Sequence, residues 1–324
     1  MDKWRRRLKV DPLDGLLGCG NPAISYFTRR DLLGESLGPP ELLWDLPDPV
    51  KMLRRQTLDG SWRYASGKSE QSSGEDYNQL ETFRQLGILV EKYGFSRSHP
   101  AVAKAAGFLF DCQTYDGDFR GIYASQYAPN YSGAIMELLI KAGWAEDKRI
   151  RRGFEWLLSN RQDDGGWAAA MRTLKIKWQD AYQLKEPLEP DRSRPFSHLM
   201  TGMALRAFAA HPTWRSAPAA LAAADLLAGR FFERDKYIDR QGKNYWERVS
   251  FPFWFTDIVS ALDSLSRLGF SAERPQIRRA LAWLADRQAA DGAFDLKLLK
   301  TRDKDTRWWV ALAVCRVFVG LMPV

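Results

Sequence analysis

Acid–base chemistry in this chain would have to come from a few carboxyl groups. Asp257 closes the segment Ser250-Phe251-Pro252-Phe253-Trp254-Phe255-Thr256-Asp257 and stands just before an apolar run, where a helix would begin. Asp303 and Asp305, in Asp303-Lys304-Asp305-Thr306, stand before another such run. A group at a helix N-terminus feels the positive end of the helix dipole. A strong proton donor needs neighbours of this kind, which stabilise its conjugate base. The same positions also suit plain helix caps and salt bridges, with Lys304 and Arg307 at hand. His99, His198 and His211 have no metal-ligand spacing, and Cys19, Cys112 and Cys315 are odd in number with no Cys-x-x-Cys pair. No zinc site, disulfide or cofactor is therefore expected.

The rings of Phe251, Phe253, Trp254 and Phe255 are the densest aromatic cluster in the chain. Aromatic faces stabilise a cation by ~0.5–2 kcal/mol each, and a cavity lined by them suits any apolar ligand. Packing between helices is the competing use of the same rings.

These residues must be positioned by something, and the sequence repeats a phrase that would do it. The copies are Gln56-Thr57-Leu58-Asp59-Gly60-Ser61-Trp62, Gln113-Thr114-Tyr115-Asp116-Gly117-Asp118-Phe119, the shorter Gln162-Asp163-Asp164-Gly165-Gly166-Trp167, and Gln288-Ala289-Ala290-Asp291-Gly292-Ala293-Phe294. Most follow an apolar stretch such as Gly107-Phe108-Leu109, Glu155-Trp156-Leu157 or Ala282-Trp283-Leu284. Each copy predicts a helix end. The glycine supplies the left-handed residue, the glutamine amide reaches exposed carbonyls or a neighbouring helix, and the aromatic ring folds back as a cover. Successive glutamines are 57, 49 and 126 residues apart, so the last interval holds a worn copy, ending at Tyr245-Trp246. Repeats of this length signal stacked supersecondary modules.

Helices predicted to follow the phrases start at Ala23, Tyr77, Tyr131, His198, Asp257 and Arg307, with Asn21 and Asn130 as caps for two of them. Pairing these six with the helices before the phrases gives an all-α fold: a single α6/α6 barrel, or α/α toroid, of inner and outer helices over residues 1–324. A charged, proline-punctuated loop at 172–195 is inserted, and a polar loop is expected at Ser66–Gly74. The inner-helix starts would share a rim, where Tyr77, Tyr131, His198, Phe253, Trp254, Phe255 and Trp308 are the candidate ligand contacts.

The phrase Gln-x-x-Asp-Gly-x-Trp/Phe after an aromatic-Leu helix resembles the QW repeat of terpene cyclases. More broadly, the chain is similar to the α/α toroids of terpene cyclases and protein prenyltransferases, over nearly its whole length. The resemblance implies an isoprenoid or other apolar ligand, and acid-initiated cyclisation with Asp257 or the Asp303/Asp305 pair as donor. The family's catalytic signatures are incomplete, however. The Asp-x-Asp-Asp of class II cyclases has no intact copy, since Asp303-Lys304-Asp305-Thr306 lacks one Asp. The Asp-Asp-x-x-Asp of class I enzymes is absent, because Asp163-Asp164 runs into Gly165-Gly166-Trp167. The Asp-x-Cys of the zinc prenyltransferases is also missing, as Asp111-Cys112 has no residue between. A non-catalytic toroid presenting a lipid pocket or a protein surface is therefore the alternative. A carbohydrate-active barrel using Asp76, Glu81 and Asp257 ranks last, since such enzymes lack the phrase.

The formal net charge of +8 over 324 residues suits an anionic partner or contact with a membrane surface. No nucleic-acid-binding signature accompanies it. The basic start of the chain lacks the apolar core of a signal peptide, and Trp308–Val324 is shorter than a span of ~20 residues. A cytoplasmic protein is expected.

Overall fold

The computed structural model describes residues 3–64, 74–237, 242–299 and 303–322. The polar loop expected at Ser66–Gly74 lies, apart from Gly74, outside the described residues. The helices are α1 (Leu13–Gly18), α2 (Pro22–Leu32), α3 (Pro47–Leu53), α4 (Tyr77–Tyr93), α5 (Pro100–Asp111) and α6 (Pro129–Leu139). Then come α7 (Lys148–Ser159), α8 (Ala170–Thr173), α9 (Trp178–Tyr182), α10 (His198–Ala210) and α11 (Pro218–Ala228). The last are α12 (Ile258–Arg267), α13 (Pro275–Asp286) and α14 (Thr306–Leu321). The fold is all-α, with one minor addition: Arg248–Val249 (β1) and Lys297–Leu298 (β2) pair in parallel.

Helices α6 and α10, which follow the second and third phrases, are buried almost throughout, and α7, which precedes the third, is one-sided. Every residue of α6 is buried, as is all of α10 except Ala210, whereas α7 buries only Ile150, Gly153, Phe154, Trp156 and Leu157. Close packing explains the first case, since a Cβ on Gly133 of α6 would come within 2.5 Å of the Ala204 Cα in α10. An apolar face all round needs neighbours on every side.

The repeated phrase is a clamp. The Gln56 Nε2 donates to Gly60 O in its own turn (2.9 Å) and to Ala101 O in the first turn of α5 (2.8 Å). The Gln113 Nε2 does the same to Gly117 O and to Arg149 O of α7, both at 2.8 Å. Gln288 bonds Gly292 O at 3.3 Å and Val10 O at 3.0 Å. The glycine is required twice over at Gly117. Its φ is 114°, and a Cβ would sit 2.5 Å from Arg152 O of the docked helix. The aromatic residue locks the other side: the Trp62, Phe119 and Trp167 backbone N–H groups donate to Thr82 Oγ1, Ser132 Oγ and Thr201 Oγ1 at 2.9–3.0 Å. Two indoles also donate to a carbonyl ten residues upstream, Trp62 to Met52 and Trp167 to Leu157. Trp246, the end of the worn copy, donates to Glu233 O at 2.9 Å.

Two compact units result. Residues 40–223 form one, and residues 1–39 with 224–324 form the other, so that both chain ends build the latter. In the unit made of the chain ends, the Arg316 guanidinium in α14 pairs with Asp31 in α2 at 2.6 Å. In the unit 40–223, the insertion at 172–195 carries the short helix α9 and returns to the third clamp. There Gln162 Nε2 donates to Asp191 O (2.8 Å) and Arg194 O (3.0 Å), where the first two copies hold the starts of α5 and α7.

The helix starts expected at Tyr77 and His198 are those of α4 and α10. Asn21 caps α2 by accepting from Ala23 N and Ile24 N. Asn130 does not cap its helix: α6 begins at Pro129, whose fixed φ suits a first helical position, and Asn130 lies inside the first turn.

Candidate functional site

Asp257 is positioned by local chemistry. It is the N-cap of α12 in a reciprocal capping box: Oδ1 accepts from Val259 N and Ser260 N, each at 2.9 Å, while Ser260 Oγ accepts from Asp257 N. The residue is only 2% exposed. The aromatic segment before it divides in two. Phe251 stacks on Trp309 of α14 (5.6 Å, 12°) and meets Phe253 edge-on (5.5 Å), so these two rings belong to the core. Trp254 and Phe255 meet edge-on at 5.8 Å and remain partly exposed. Of the three residues named from this segment, Phe253 is buried, and Trp254 and Phe255 stay partly exposed.

Asp303 and Asp305 organise the start of α14. The Asp303 Oδ1 accepts from Asp305 N at 2.8 Å, and Asp305 Oδ2 accepts from Asn21 Nδ2 at 2.8 Å, which ties α14 to the start of α2. Trp308 is half-buried against α1, where a Cβ on Gly15 would come within 2.6 Å of its ring. The structure therefore groups Asp303, Asp305 and Asn21 at one helix end, and Asp257, Phe255 and Ser260 at another.

In the unit 40–223, the helix starts carry a different set. Tyr77, the first residue of α4, donates its hydroxyl to Glu75 Oε2 at 2.9 Å, and its ring lies 5.1 Å from that of Tyr64. Tyr131 is buried, edge-on to Phe83 (6.0 Å) and Tyr123 (5.4 Å). His198 opens α10 and is 5% exposed, next to Ser197, whose hydroxyl accepts from Met200 N. Two members of this group escape sequence reasoning. Tyr123 comes from the loop after the second phrase and Tyr182 from the insertion, and they stack at 6.2 Å and 27°. Neither segment has a periodic pattern that would place a side chain.

Burial shifts the Tyr182 and Cys112 groups in this unit. Burial, then the neighbouring Tyr123 and Glu75, hold the Tyr182 phenol far above its ordinary range. Burial pushes the Cys112 thiol up to about 12, with Asp76 and Asp111 adding to it, so it is not a thiolate at neutral pH. Among the described residues no group of three or more His, Cys, Asp or Glu could hold a metal ion, and no helix is long and apolar enough to cross a membrane.

Comparison with known proteins bears on the fold. No protein-family model matches the chain. A stretch of 57 residues is 33% identical to a squalene-hopene cyclase of Schizosaccharomyces japonicus, covering 18% of this chain and 8% of that protein. Among solved structures, the type II terpene cyclase MstE from Scytonema, bound to the product merosterolic acid A, aligns with a TM-score of 0.51. The alignment covers 84% of this chain and 75% of that one at 16% identity. The same enzyme holding geranylgeranyl dihydroxybenzoate aligns with a TM-score of 0.50 at 15% identity. The chain has the terpene-cyclase fold. Within that fold, the second and third clamps anchor to Ser132 and Thr201, one turn into the helices that carry Tyr131 and His198.

Proposed function

We propose that this chain binds an isoprenoid, or a small molecule carrying one, and cyclises it by protonation. The observation that carries this reading is the likeness, over 84% of the chain, to a cyclase that holds a geranylgeranyl ligand. The partly exposed rings of Trp254 and Phe255 beside a buried Asp257 support it. Asp257 is assigned as the donor. Its Oδ1 is engaged by two backbone N–H groups, so the transferable proton belongs on Oδ2. Asp303 and Asp305 rank behind it, and Tyr77, Tyr131, His198 and Trp308 are kept as contacts for the apolar chain. A cytoplasmic location is proposed on the free thiols of Cys19, Cys112 and Cys315, and contact with an anionic membrane surface on the net charge of +8.

One observation favours a second reading, a toroid that binds and does not turn over. The carboxyl groups of Asp257 and Asp305 both serve helix ends, the first in a capping box and the second in a link to Asn21. Incubation with linear isoprenoids and their diphosphates, with products read by mass spectrometry, separates the two. A cyclised product lost in Asp257→Asn supports the enzyme. A polyprenyl compound that co-purifies unchanged, with no product from any substrate, supports the binding protein.

A further inference from the structure

Within the unit 40–223, Gln79 in the first turn of α4 is fully buried, yet neither its Oε1 nor its Nε2 has a hydrogen-bond partner among the described residues. The amide lies under Gly121, where a Cβ would approach Oε1 to 2.5 Å, and Gly121 O in turn accepts from Asp76 N at the start of α4. Two residues along the same loop is Tyr123, whose hydroxyl accepts from Asn130 Nδ2 at 3.1 Å in the first turn of α6. Asn130 is 1% exposed, and its Oδ1 is also without a partner. One short loop thus links two helix starts with open amide groups: Gly121 lies over Gln79, and Tyr123, whose ring meets those of Tyr131 and Tyr182, bonds Asn130.

Buried amides are almost always paired, because leaving one unpaired forfeits its hydration with no return. Their chemistry names what would complete them. Gln79 Oε1 and Asn130 Oδ1 need a hydrogen-bond donor, and Gln79 Nε2 needs an acceptor. A hydroxyl group is both: it donates its one hydrogen to one of these amide oxygens and accepts from Gln79 Nε2. A hydrocarbon is neither, and a diphosphate offers only anionic acceptors, which the two amide oxygens repel. We propose that Gln79 and Asn130 form a subsite for the hydroxyl of an oxygenated isoprenoid, an alcohol or phenol. The proposal rests on the isoprenoid reading above and narrows it to one substrate class.

The test uses the full chain and three probes: geranylgeraniol, the C20 hydrocarbon that lacks its hydroxyl, and geranylgeranyl diphosphate. Binding is read by quenching of tryptophan fluorescence. The wild type is expected to bind the alcohol about tenfold tighter than the hydrocarbon. Gln79→Met and Asn130→Leu should each erase most of that preference and leave hydrocarbon affinity within about twofold. The ligand-free melting temperature of Gln79→Met should hold or rise, since an unpaired amide is removed. Equal affinity for alcohol and hydrocarbon, a preference for the diphosphate, or a preference that survives both substitutions would overturn the subsite and leave the isoprenoid reading standing. A clear fall in the melting temperature of Gln79→Met would also overturn it, by showing that the amide serves the fold through bound water. If no probe binds, the isoprenoid reading fails and the subsite fails with it.

Discussion

Asp257 caps α12 and is the proposed proton donor, and substitution separates the two. Asp257→Asn keeps an oxygen for the cap and removes the acid, so the melting temperature should hold while any cyclised product disappears. Asp257→Ala loses both, and should cost about 1 kcal/mol of stability as well. Calorimetry beside the product assay reads the difference. His99 offers a second residue-scale test. Its Nδ1 accepts from Ala101 N to cap α5, and burial favours its neutral form, with Asp45 opposing. Its folded pKa therefore lies below its unfolded value, so the unfolded state binds more protons in acid. Stability should be lost as pH falls from about 6.5 through the lower folded pKa. His99→Asn, which keeps a capping oxygen, should flatten that part of the profile in chemical denaturation. The two caps differ in how visible they are in a sequence. Asp before an apolar run announces itself, and Asp257 is legible for that reason. Tyr123 and Tyr182 meet by stacking across an insertion, Gln79 is notable only for what it lacks, and neither property leaves a pattern along the chain.

At the scale of elements, two glycines of the same module make opposite forecasts. Gly117→Ala puts a Cβ 2.5 Å from the Arg152 carbonyl at a φ of 114°. It should destabilise by about 2 kcal/mol or more, which adds a clash to the left-handed penalty. Gly107→Ala lies within α5 with nothing within 4 Å of the new Cβ, and should stabilise by about 0.5–1 kcal/mol. Thermal melts of the pair check both signs. The clamp itself is readable in advance because its glutamine, glycine and ring are neighbours in the chain. Its outer anchors are not. Thr82, Ser132 and Thr201 receive the ring residues' N–H groups from 20, 13 and 34 residues away. Nothing marks these hydroxyls off from any other Ser or Thr in a helix.

The molecule as a whole places its two ends in one unit, residues 1–39 with 224–324. The two pieces share a core, in which Phe27 of α2 lies 6.3 Å from Trp309 of α14. A fragment of residues 224–324 should therefore show little cooperative unfolding by circular dichroism, and adding residues 1–39 in trans should restore a transition. The Asp31–Arg316 pair is part of that joint. Burial acts against the Asp31 carboxylate, but Arg316 and Arg30 outweigh it and hold its pKa below the usual range. Its contribution is complete above about pH 4 and is lost as pH falls through the lower folded value. Asp31→Asn should remove about 1–2 kcal/mol at neutral pH and little in strong acid. The third clamp carries a consequence of another kind. Gln162 holds the returning insertion by the carbonyls of Asp191 and Arg194, and a main-chain carbonyl is the same whatever residue bears it. The seam is blind to sequence, so a foreign peptide grafted between 174 and 190 should still close at Gln162 if those two carbonyls return to their places, provided it keeps Ala181 and Tyr182, which pack inward.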